Sequence, residues 1–241
     1  MKTRWLTVAL LLIAAGQSLA DTTFQPFVLA SINDTPLAAQ TAATRNALEA
    51  GGFTVAGEYA PLDNARVIVV TSDALLAVAA QSPRGGYAAG QRVSVSERDG
   101  KTEVAFVNPL YIQHAYRLAG DMQPVYDRLT AALGEVDTFG TDDGMSAKKL
   151  AKYNYKPLME KFDDPYELGR FDSHEAAVAA VEEGLSRAGD ALTQVYRIDV
   201  PNTDQVVIGI GMQAVNEDDI DIDEAHQLSI VDFEGYSKVA Y

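Results

Sequence analysis

The chain has 241 residues, no cysteine and a formal net charge of −15 at pH 7. An acidic balance of that size repels nucleic acid and anionic lipid headgroups, so neither is expected as a partner. The lack of cysteine excludes disulfides, thiol catalysis, thiolate metal sites and covalent haem attachment.

The N-terminus carries Lys2 and Arg4, then the apolar run "WLTVALLLIAAG", then Ser18-Leu19-Ala20 ahead of Asp21. Positive region, apolar core and small residues before a break form the layout of a secretory signal peptide. The apolar run is too short for the roughly 20 residues that span a bilayer. Cleavage is therefore expected after residue 20, with no membrane span left afterwards and a periplasmic or secreted product that begins at Asp21. Losing Lys2 and Arg4 takes the net charge from −15 to −17.

"PFVLASIN" (26–33) alternates as a strand does. Thr35 is the expected N-cap, with Pro36 opening a helix whose buried stripe is Leu37, Thr41, Thr44 and Leu48 and whose stop is Gly51-Gly52. "FTVAGEY" is expected to set Phe53, Val55, Gly57 and Tyr59 on one face. "ARVIVVT" is continuously apolar, as in a strand covered on both sides. Ser72 and Asp73 cap "ALLAVAAQ". "QRVSVSERDGKTEVAFVN" reads as a hairpin turning at Asp99-Gly100, with Val93 and Val95 answered by Val104 and Phe106. The order β-α-β-β-α-β-β predicts an α+β fold of the ferredoxin-like, split βαβ kind: an antiparallel sheet with its helices on one face.

A second stretch repeats this order. The helix-strand-strand pattern from Ala38 returns from Ala176, with Leu48, Gly52 and Tyr59 answered by Leu185, Gly189 and Tyr196 at one constant offset. Two ferredoxin-like modules are expected. Residues 1–20 are the signal, 21–120 the first module, 121–150 a helix and loop connector, and 151–241 a second, incomplete module. In the connector, Val125, Leu129 and Leu133 form a helical stripe ended by Gly134, and residues 135–149 read as a loop. The second module is expected to contain a strand at 152–158, and a helix capped by Ser173 that buries Ala177, Val178, Val181 and Leu185.

Gly52-Phe53-Thr54-Val55, the apolar strand 65–71, Gly85-Gly86 and Phe106-Val107-Asn108-Pro109 resemble the domain of unknown function 302 family. The resemblance covers residues 26–115 well and 172–241 in part. It departs at Thr71-Ser72-Asp73, where that family usually carries Gly-Asn-Pro. It implies a ferredoxin-like α+β fold, often paired, and no established activity.

Phosphate loops, nucleophile elbows and His-Glu metal helices are missing from the sequence. Two stretches remain as candidates. Asn108, Tyr111, His114 and Tyr116 gather where the last strand of the first module turns into "LYIQHAYRL", a common place for a small-ligand pocket. The plainer alternative is tyrosines packed on a sheet edge, with His114 capping or facing water. Asp219, Asp221 and Asp223 alternate in "NEDDIDIDEAHQ" and would gather a hard cation such as calcium if extended. A solvated acidic surface is the competing reading.

The functional expectation is a non-catalytic exported module binding a small ligand, a cation or a protein. One alternative is a periplasmic enzyme using His114 with nearby carboxylates as acid and base, which requires His114 to be hydrogen-bonded inside a cleft. The other is a structural protein forming a homodimer through a sheet edge. The unfinished closing strand at 228–241 invites such pairing.

Overall fold

The structure is a computed structural model that describes residues 22–154 and 156–212. Residues 1–20, read as a signal, the aspartates 219, 221 and 223, and the edge expected at 228–241 lie outside the described residues.

The chain opens with a short strand β1 (Thr23–Phe24) and then β2 (Phe27–Asn33). Asn33 turns the chain itself, its Oδ1 accepting from the Thr35 amide at 2.9 Å. Pro36, not Thr35, consequently takes the N-cap position of α1 (Leu37–Ala50), and no side chain caps that helix. Thr35 serves the sheet instead: its carbonyl accepts from Thr102 Oγ1 at 2.6 Å. The expected stripe holds, with Thr41, Thr44 and Leu48 buried.

β3 (Thr54–Leu62) and β4 (Ala65–Thr71) follow as an antiparallel pair. A bulge between Val55 and Gly57 shifts their register. The expectation of one face for Phe53 to Tyr59 is therefore corrected. Phe53 and Val55 pack with the helices, whereas Tyr59 packs with Ala65, Val67 and Val69 on the other side. One extra residue in a ladder flips every later side chain. β4 is buried on both faces, as its apolar run predicts.

Ser72 caps α2 (Asp73–Ala79), its Oγ accepting from Leu75 N at 3.3 Å. A 3-10 turn (Gly85–Ala88) leads to the hairpin β5 (Gln91–Arg98) and β6 (Lys101–Val107). Val93 faces Phe106 and Val95 faces Val104, as read from the sequence. Asp99 and Gly100 turn at φ of 51° and 74°, the left-handed pair that a two-residue hairpin requires. α3 (Pro109–Ala115) continues directly from β6, and α4 (Gln123–Leu133) buries Val125 and Leu129 before Gly134 stops it at φ 95°.

The connector is not a plain loop. β7 (Asp137–Phe139) joins the main sheet beside β2, and β8 (Met145–Ser146) pairs with β1 and leads into α5 (Ala147–Leu150). Backbone pairing with a strand more than a hundred residues earlier leaves no local pattern in three residues. The sheet has six antiparallel strands in the order β3-β4-β5-β6-β2-β7. α1 thus joins two parallel strands, β2 and β3, that are split by three others. Leu48 of α1, Leu75 of α2 and Leu129 of α4 pack on one face of this sheet against Ile68, Val93 and Phe106.

The expected strand at 152–158 is not formed among the described residues of that stretch, where Tyr153 stacks on Phe162 instead. α6 (His174–Ala188) is capped by Ser173 as expected. It buries none of its residues, and Val181 is 42% exposed. The burial expected for Ala177, Val178, Val181 and Leu185 is corrected accordingly: among the described residues the helix meets only a two-stranded hairpin. That hairpin, β9 (Leu192–Val200) and β10 (Gln205–Met212), repeats the helix-strand-strand order of α1, β3 and β4. It lies on the sheet face opposite the helices, where Tyr196 meets Val67 and Val69 and Ile198 meets Ala79 and Ala89. The fold is α+β, with antiparallel sheets.

Candidate ligand-binding cleft

β5 alternates Arg92, Ser94 and Ser96 with Val93 and Val95. The valines face the helices, so Arg92 is directed to the opposite side, beside its ladder partner Val69. That side is covered by the β9–β10 hairpin at one end and by α3 at the other. Arg92 sits between them, at the junction of two cavities.

The larger cavity holds about 300 Å³ and is lined by Pro26, Phe27, Val107, Tyr111, Ile112, Tyr116, Phe162 and Arg92. The smaller holds about 110 Å³ and adds Gly86, Tyr87, Gly90, Gln91, Tyr196 and Val207. Arg92, Val107, Ile112 and Tyr116 belong to both. Tyr87 and Tyr116 stack at 4.9 Å between ring centres and form a common wall. Beyond Tyr87 a shallower groove of about 620 Å³ runs between α6 and β10.

The outer wall of the larger cavity is a strap. Phe162 stands edge-on to Tyr111 at 6.0 Å and lies 6.2 Å from Tyr116. The next residue, Asp163, is buried and tied twice. Its Oδ2 accepts from Arg117 Nε at 3.0 Å and from Arg117 Nη2, and its carbonyl accepts from Arg84 Nη1 at 2.5 Å. The hairpin is clasped on the other side by Gln205, which accepts from the Gly86 amide at 2.9 Å and donates to the Ser82 carbonyl at 3.1 Å.

Burial raises the Tyr59 and Tyr196 hydroxyl pKa values above the ordinary phenol value, and the nearby Arg92 charge pulls back only in part. Both rings therefore remain neutral at physiological pH. The surroundings of Arg92 are poorly hydrated, which strengthens any charge contact made there.

The residues expected at this site divide. Tyr111 and Tyr116 line the cleft. Asn108 does not: its side chain caps α3, accepting from Leu110 N at 2.9 Å and donating to the Gln25 carbonyl at 2.9 Å. His114 does not line the cleft: its ring lies 4.6 Å from Phe24, and its imidazole makes no hydrogen bond or ion pair among the described residues. Arg92, Tyr87, Phe162 and Tyr196 were not anticipated. Arg92 looks like an exposed-face residue of a half-wet strand, and only the placement of the hairpin covers it. Among the described residues no group of three or more His, Asp or Glu side chains is placed to hold a metal ion. No described helix is long and apolar enough to cross a membrane.

Burial holds the His114 pKa below the ordinary histidine value. Between those two values the unfolded chain binds more protons than the folded one, so stability falls as pH is lowered through that window. The urea midpoint of the wild type should therefore drop more between pH 7 and pH 5 than that of His114→Gln. Parallel losses in the two proteins would show that His114 does not contribute.

Fold and cleft together define an α+β protein with a sheet-floored, tyrosine-walled cavity centred on one arginine. No protein-family model matches the chain, and no curated protein matches it. Among solved structures it is similar to the crystal structure of uncharacterized conserved protein DUF302 from Bacillus stearothermophilus. That similarity has 15% identity and a TM-score of 0.40, and covers 46% of this chain and 97% of that one.

Proposed function

We propose that the protein is a non-catalytic, exported binding module that holds a small ligand in the cleft around Arg92. The observation that carries this reading is a half-buried arginine at the meeting point of two joined cavities, whose guanidinium has no hydrogen-bonding or ionic partner among the described residues. Concave, largely apolar pockets with one or two polar anchors are the usual form of small-ligand sites. The lining supports binding over catalysis. Apart from Arg92 and the Gln91 amide it supplies aromatic rings, aliphatic side chains and backbone, and His114, the acid-base candidate, stands outside it.

Ligand-observed NMR with a set of small aromatic and aliphatic compounds tests this. At least one class should bind, and Tyr116→Ala, which removes the wall shared by both cavities, should weaken it about tenfold or more. Absence of binding by every compound at millimolar concentration would overturn the reading.

A further inference from the structure

We infer that the ligand of this cleft is a small organic carboxylate with an apolar body of about one ring, its carboxylate held by Arg92. The inference rests on the binding function proposed above and names the chemical class of its ligand.

The first support is the state of Arg92. Every other described arginine is engaged. Arg45, Arg98, Arg117, Arg170, Arg187 and Arg197 pair with carboxylates. Arg66 donates to three backbone carbonyls, Arg84 to one, and Arg128 lies 5.9 Å over the Phe53 ring. Among the described residues Arg92 has no such contact, in a chain with 34 acidic residues against 19 basic ones. No carboxylate among the described residues pairs with this half-buried guanidinium. Its planar fork matches a carboxylate in bidentate geometry.

The second support is shape. The space of about 110 Å³ beside Arg92 and Tyr196 accommodates a head group, and the adjoining lobe of about 300 Å³ is walled by Phe27, Val107, Tyr111, Ile112 and Phe162. Those walls offer stacking and apolar contact. A single arginine neutralises one negative charge. A phosphate dianion would keep a surplus charge inside an acidic protein, which favours the carboxylate.

The test is a calorimetric titration of the purified protein with 3-phenylpropionate, benzoate, benzyl alcohol, acetate and inorganic phosphate. The two ring-bearing acids should bind at least tenfold more tightly than benzyl alcohol, acetate or phosphate. Arg92→Gln should erase the advantage of the acids while leaving weak binding of benzyl alcohol. Arg92→Lys, which keeps the charge and loses the fork, should retain part of it, and serves if the glutamine variant misfolds. Equal binding of benzyl alcohol and 3-phenylpropionate would overturn the carboxylate while leaving the cleft as a binding site. Acetate or phosphate binding as tightly as the ring-bearing acids would overturn the apolar body. No binding by any of the five would overturn the binding function itself.

Discussion

Gly57→Val should release the β9–β10 hairpin from the main sheet and leave the sheet folded. A Cβ placed on Gly57 would stand 2.3 Å from the Val195 carbonyl oxygen and 3.0 Å from Tyr196 Cβ. The obstacle is backbone, which cannot rotate aside as a side-chain tip can, so the hairpin has to move. The helix-side core does not include Gly57, and its leucines and valines are untouched. Exchange protection at 192–212 should collapse while that of 91–107 persists. Ligand binding should vanish, because Tyr196 and Val207 leave the smaller cavity. Gly184→Ala is the control: its Cβ meets nothing within 4 Å, and a helix interior gains up to about 1 kcal/mol from alanine. Retained protection at 192–212 in the valine variant would show that the hairpin does not depend on this close approach.

Leu29→Ala should cost about 2–5 kcal/mol of unfolding free energy, the range for truncating a buried leucine. Leu29 is fully buried in β2, opposite Ala105 of β6 and Asp137 of β7. Strands flank it on both sides, so the site has little freedom to collapse around the void. Since domains of this size are stable by about 5–15 kcal/mol, the loss is a large share of the whole. Urea denaturation should give a lower midpoint with an unchanged slope. A midpoint equal to wild type would mean that the core repacks freely here.

What the sequence disclosed follows the range of the forces involved. The stripes of α1 and α4, the alternation of the β5–β6 hairpin, Ser72 and Ser173 as caps and the Asp99-Gly100 turn are local, and each is found where it was expected. The bulge after Val55 is also local but silent, because no residue type announces one extra position in a ladder. β7 exists only through its pairing with β2. The exposure of α6 depends on how much sheet lies beneath it, which its own amphipathic pattern does not record. The cleft was half legible. Tyr111 and Tyr116 stood out as aromatic residues at a strand end, but Arg92 becomes a buried-side residue only when a hairpin a hundred residues away covers its strand. Tyr59 and Tyr196, which the sequence sets at one constant offset, meet on the covered side of β4.

The position of β2 between β6 and β7 has a consequence for the order of folding. The first long strand to be synthesised acquires its neighbours last. β5 and β6 need only a two-residue turn to meet, and α1 needs only its own length. β2 must wait for Lys101–Val107 on one side and then Asp137–Phe139 on the other. Closing loops of that length costs entropy before any contact is gained, which slows folding. We expect the β5–β6 hairpin with its helices to form first and "FVLASIN" to dock late. Until it happens, one of the most apolar segments of the protein is an open edge in search of a partner.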